Sequence, residues 1–214
     1  MTWNDVTVFQ WQQLMNLYVK EDVADLETAT LSILFNRTEN EILSLSEGER
    51  LGLLSKIDFV HTPPQGKPEK SIKCQSGARY KCIYDVRQLR AARYIETKHF
   101  AKDPDENLHR VAASMVLPMR KTWLGYKATK YDASKHEEYA NDLLTAPIPA
   151  VLGSVVFFCE VYRRWMQNSQ DYLIKEMMAK GMTEEQAAEA YQVLWTFTDG
   201  TTKQLWSPNM SASH

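Results

Sequence analysis

Two pairs of residues in this chain have the spacing of a metal site. Glu96-Thr-Lys-His99 and Glu106-Asn-Leu-His109 each put a carboxylate and an imidazole one helical turn apart. In di-iron helical bundles such a pair on each of two helices, with two further glutamates, holds the metals. Here the pairs flank Asp103-Pro104, and a loop at that point could fold them together. What they lack is the completing glutamates. No lone Glu sits on an apolar helix face, Glu160 being the nearest candidate. Solvated helix ends are the better account, and the sequence predicts no metal and no cofactor.

Other catalytic layouts are missing. There is no Gly-x-Ser-x-Gly, no phosphate loop, no His-Glu-x-x-His and no Cys-x-x-Cys. Glu137 and Glu138 are adjacent, so on a helix they point apart and act as surface charge rather than as an acid/base pair. Cys74, Cys82 and Cys159 are an odd number without a histidine at ligand spacing. The polar, acidic opening Met1-Thr-Trp-Asn-Asp5 is unlike a signal peptide. Reduced thiols in a cytoplasm are the expectation.

The strongest electrostatic feature is basic. Arg87, Arg90 and Arg93 recur at steps of three along one side of an expected helix, and Arg79 and Lys81 precede them. These five are the candidate partner-binding residues, because guanidinium groups present paired donors to carboxylates. A solvated or salt-bridged face is the plainer alternative. The net charge of −2 conceals the layout. Residues 1–58 carry ten acidic and four basic side chains, residues 73–130 five and thirteen, and residues 131–214 eleven and six. A basic middle between acidic ends could bind nucleic acid. Without an interleaved nucleic-acid motif, it is better matched to the chain's own ends or to the acidic end of a neighbouring copy.

The elements that must position these residues are mostly helices. The longest is expected over 149–180, with Pro147 and Pro149 at its entrance and Gly181 at its exit. Val151, Val155, Phe158, Tyr162, Trp165, Ser169, Leu173 and Met177 fall on one face. Its first third, Ala150 to Cys159, is apolar nearly all round and should be buried; ten such residues are too few to cross a bilayer. Capping boxes at Thr7/Gln10, Thr38/Glu41, Ser46/Glu49, Ser134/Glu137 and Thr183/Gln186 start helices over 8–20, 39–44, 47–57, 135–144 and 184–197. Further helices are predicted over 24–35, from Asp85 to about Phe100, and over 106–117, where Pro118 ends or kinks the last.

Alternation at Ile72 and Cys74, and at Tyr80, Cys82 and Tyr84, around Ser76-Gly77 predicts a β-hairpin. A three-residue loop would set Cys74 opposite Cys82 and other lengths would not, so no disulfide is inferred. An isolated hairpin is marginal in water, so this one must lie on helices or pair with another chain. Residues 119–133 are basic and aromatic without clear period. The expected fold is therefore mainly α: a multi-helix domain with one small antiparallel hairpin and a long central helix. It divides into an N-terminal helical region 1–60, a proline-rich linker 61–70, the hairpin with basic helices 71–133, and a C-terminal helical region 134–214.

The order of elements over residues 7–118 resembles tailed-bacteriophage morphogenesis proteins of the tail-assembly-chaperone and baseplate-assembly types. The pieces are Val8-Phe-Gln-Trp11, Leu31-Ser-Ile-Leu-Phe-Asn-Arg-Thr-Glu-Asn-Glu-Ile42, Leu51-Gly-Leu-Leu54, the Tyr80–Asp85 strand, and Asn107-Leu-His-Arg-Val-Ala-Ala113. The largely helical extension 119–214 is also similar to a permanent virion part such as a head–tail ring or connector subunit. The resemblance implies a non-enzymatic assembly role without catalytic residues. It also implies other phage structural proteins as partners, a homo-oligomer or ring, no membrane, and a place in the host cytoplasm or the virion.

Overall fold

A computed structural model describes residues 1–19, 25–85 and 104–190, with backbone only at 104–105, 162–163 and 165–171. The chain is mainly α with one small antiparallel sheet. The helices are α1 Val8–Val19, α2 Leu26–Phe35, α3 Glu39–Leu43, α4 Glu47–Leu54, α5 Pro104–Ser114, α6 His136–Leu144 and α7 Ile148–Ala179. Residues 184–190 are also helical. The strands are β1 Ser71–Lys73, β2 Arg79–Cys82, β3 Val116–Thr122 and β4 Gly125–Ala128.

Helix starts follow side-chain oxygens. Thr38 Oγ1 accepts from the Glu41 N–H and the Glu41 carboxylate takes the Thr38 N–H at 2.7 Å; Ser46 and Glu49 repeat the arrangement at 3.0 Å. Thr7 and Gln10 do the same at the head of α1. The Gln10 amide nitrogen then reaches the Ile33 and Leu34 carbonyls, so one side chain serves the start of α1 and the end of α2. Beyond α2, Asn36 takes a left-handed φ of 52°, and the Arg37 N–H closes on the Ser32 carbonyl.

The first eleven residues of α7 are the floor of the core. Ile148, Val151, Val155 and Phe158 are buried there against Val8 and Leu14 of α1, Leu108 and Val111 of α5, Tyr139 and Leu143 of α6, and Ile72 and Tyr80 of the sheet. The entrance of α7 is tied to that of α1: the Val8 N–H bonds the Ala146 carbonyl and the Ile148 N–H the Val6 carbonyl, both at 2.9 Å. Among the described side chains, none of α7 beyond Cys159 joins the core. Side chains from all three helical and hairpin regions share this core, and the proline-rich stretch between them lies along α7. Gly66 packs on α7 at Gly153, the Glu69 N–H bonds Ser154 Oγ at 3.1 Å, and Trp3 Nε1 holds the Thr62 carbonyl at 2.7 Å.

Four expectations are corrected. The hairpin is the first half of a four-stranded antiparallel meander in the order β1-β2-β3-β4. Its loop is Gln75–Gly77, centred on Ser76, so Cys74 faces Ala78 and Cys82 faces Lys70; all three cysteines are free. Helix α5 ends at Ser114, and Pro118 is a strand residue paired with Tyr80. Its carbonyl takes the Thr129 N–H and hydroxyl at 2.8 and 3.0 Å where the β3–β4 ladder stops, so the missing N–H costs only a terminal bond. Finally, Asp132 caps the 3-10 turn Ala133–Lys135 that leads into α6, accepting from the Ser134 N–H and hydroxyl, and α6 itself starts without a side-chain cap. Glu137, the expected box partner of Ser134, is instead paired with Arg110 of α5 at 3.2 Å.

Candidate functional site

The alternation of β2 decides which side chains are available. Tyr80 and Cys82 point into the core, so Arg79 and Lys81 lie on the opposite, outer face. Cross-strand partners share a face, and the pairs Lys73–Arg79, Lys81–Leu117, Met119–Ala128 and Lys121–Tyr126 extend it across all four strands. The outer face thus carries Lys73, Arg79, Lys81 and Lys121 around half-buried Leu117 and Met119. The Arg79 guanidinium carbon lies 4.6 Å from the Tyr126 ring centroid, reaching across β3 in a cation–π contact. Its Nε is buried without a hydrogen-bond partner.

Five cations elsewhere among the described residues are paired within the chain. Arg50 meets Asp25 and Glu27, Arg110 meets Glu137, Arg164 meets Glu160, and Lys135 and Lys180 meet Glu138 and Glu176. Among the described residues no carboxylate pairs with Lys73, Arg79, Lys81 or Lys121. Arg87, Arg90 and Arg93, the rest of the expected basic row, lie outside the described residues.

Beyond Pro118, β3 is paired with β4 alone, and the two strands form an arm. Thr122, its last paired residue, is four residues past Pro118, which carries the tip on the order of 10 Å beyond β2. At the tip Trp123 is 92% and Leu124 79% exposed. Gly125 follows at φ +123°, a conformation open to a residue without Cβ, and Thr122 Oγ1 clasps its carbonyl at 2.9 Å. Arg120, Lys121, Lys127 and Lys130 are exposed around this arm. Sequence reasoning missed it because both of its faces meet solvent, so no apolar alternation marks its strands. Gly125 between two basic runs was the available signal.

The hairpin β1–β2 is supported from within. Asp142 of α6 accepts the Tyr80 hydroxyl at 2.6 Å and the Ser76 hydroxyl at 2.9 Å, and Tyr84 bonds the Glu69 carbonyl and Ser154. With β2 covered by β3, the edges of the sheet are β1 and β4. Of the two supports expected for this hairpin, helices or another chain, helices α6 and α7 supply one, and β3 extends it.

The buried titratable groups are poor reagents. Burial pushes the Cys74 thiol up to about 12, with Asp142 adding to the rise, and burial takes Cys159 to about 12. Burial also raises Cys82, although its hydrogen bonding with Tyr84 and Ser154 opposes the rise. Such thiols are not nucleophiles near neutrality. Burial brings His109 down to about 4, helped by Arg110 and His136 and opposed by Glu137. Of the two Glu-x-x-His pairs, Glu96 and His99 lie outside the described residues; Glu106 is exposed and His109 buried. Among the described residues, no group of three or more His, Cys, Asp or Glu side chains stands together as metal ligands, and no helix is long and apolar enough to cross a membrane. What this surface can do is bind carboxylates and present an apolar tip.

No protein-family model, curated protein or solved structure matches this chain.

Proposed function

We propose that the chain is a non-enzymatic virion-assembly protein of a tailed bacteriophage, a tail or head–tail component that works through protein–protein contacts. The observation that carries the contact role is the outer sheet face with its arm: four basic side chains that no carboxylate among the described residues pairs with, beside an exposed tryptophan. Tryptophan and arginine are over-represented among residues whose loss costs most binding energy. The phage assignment is supported by the order of elements over residues 7–118. Within it, a permanent head–tail ring or connector subunit is a second reading. It is favoured by α7, whose 32 residues run well past the last described side chain that joins the core, Cys159.

Deleting the gene from its source genome tests the proposal. Loss of tails, or heads left unjoined to tails, supports it. Mass spectrometry of purified particles then separates a virion part, present at fixed copy number, from a chaperone, which is absent. Normal particles after deletion would overturn the reading. So would stoichiometric iron, manganese or zinc in the purified protein that is lost on His109→Ala, the signature of the competing metal-dependent bundle enzyme.

A further inference from the structure

The chain carries a surface complementary to its own arm. Thr38-Glu-Asn-Glu-Ile-Leu43 and Ser46-Glu-Gly-Glu-Arg-Leu51 are the same motif repeated at a spacing of eight residues. Each opens a short helix with a capping box, and each box binds its second glutamate, Glu41 or Glu49, to the cap. The first glutamate of each repeat, Glu39 or Glu47, has no partner among the described residues. The last residue of each repeat faces outward: Leu43 is 61% and Leu51 58% exposed. Each helix therefore presents one exposed leucine and, a helical turn before it, one uncommitted carboxylate. The arm presents two apolar side chains, Trp123 and Leu124, and no acidic residue between Met119 and Tyr131 to offset its four basic ones.

We propose that the β3–β4 arm of one copy docks on the α3–α4 face of a second copy, Trp123 and Leu124 against Leu43 and Leu51, with the cross-strand partners Arg120 and Lys127, which share one face of the arm, toward Glu39 and Glu47. Trp123 and Leu124 at the tip are left uncovered by the described residues. Two different surfaces meet, so the contact is head-to-tail and propagates into a ring or a filament. This rests on the assembly role proposed above and names its partner. Anionic membrane or nucleic acid would match the basic arm but would leave the α3–α4 face without a use.

A charge swap on the full chain tests it, read by sedimentation at low and high salt. The parent should self-associate, less so as salt rises. Arg120→Glu/Lys127→Glu and Glu39→Lys/Glu47→Lys should each be monomeric, because arm and receptor then carry like charge. An equimolar mixture should associate again, since each arm finds an opposite face. Trp123→Ala should weaken association roughly tenfold or more. Circular dichroism verifies that the variants fold. As a second measurement, Leu124→Cys mixed with Leu51→Cys should give a disulfide-linked pair, the native cysteines being largely buried. A parent that stays monomeric at low salt, or a mixture that does not reassociate, would overturn the docking proposal. So would binding of the arm to anionic vesicles or DNA without self-association. These readings stand apart from the gene deletion: an assembly defect without reassociation would keep the assembly role and reject the second copy as partner.

Discussion

His109 makes stability depend on pH in a window of its own. The ring sits on α5, buried against α6, with Nδ1 lacking a hydrogen-bond partner, and its pKa falls from the ordinary 6.5 to about 4. In the unfolded chain it takes up a proton near 6.5; in the folded chain it resists until about 4. Stability is therefore full above pH 6.5 and declines as pH falls toward 4, where both states are protonated and the loss levels off. At pH 5 the linkage amounts to about 2 kcal/mol, and over the whole window to about 3 kcal/mol. The carboxylates of Asp25, Glu41, Glu49 and Asp132, which cap helices, are held below their ordinary values by the hydrogen bonds they accept. Their contribution is lost only below about pH 4.5, so it does not overlap the upper part of the histidine window. His109→Leu removes the titration and the unpaired nitrogen together. Urea unfolding of parent and variant should agree within a few tenths of a kcal/mol in pH slope above 7, with the variant gaining about 2 kcal/mol on the parent by pH 5. A constant difference between the two proteins from pH 7 to pH 5 would refute the reasoning.

Gly153→Ala should cost about 1–3 kcal/mol in thermal or urea unfolding. A Cβ there would stand 2.5 Å from the Gly66 carbonyl carbon and 2.8 Å from its oxygen, and neither backbone can yield as a side chain tip would. Thr38→Ala and Ser46→Ala should each cost about 1 kcal/mol, the usual loss of an N-cap, and the effects should add because the boxes are separate. Tyr80→Phe should cost about 1–2 kcal/mol by removing the hydroxyl that Asp142 accepts, and should speed amide exchange at the β1–β2 turn, which the same carboxylate holds through Ser76.

Much of the helical framework was legible because its signals are local. A capping box is complete within four residues, so Thr38/Glu41, Ser46/Glu49 and Thr183/Gln186 declare their helices without reference to the rest of the chain. The apolar first third of α7 likewise signals burial on one side, at Val151, Val155 and Phe158, while Phe157, expected inside, is exposed. The hairpin β1–β2 was readable because one of its faces is buried, which writes an alternation at Ile72, Tyr80 and Cys82. Where a long-range partner competes, local signals lose their authority. Ser134 and Glu137 have the spacing of a box, yet Arg110 of α5 takes the glutamate, and Asp132 caps the turn that leads into α6. Pro118 ends a helix in isolation; paired with Tyr80 it is a strand residue. The basic face exists only as a product of register, since pairing alone puts Lys73, Arg79, Lys81 and Lys121 on one side of the sheet. Composition placed positive charge in the middle of the chain. Tertiary structure decided which of those charges share a surface, and that an exposed tryptophan stands beside them.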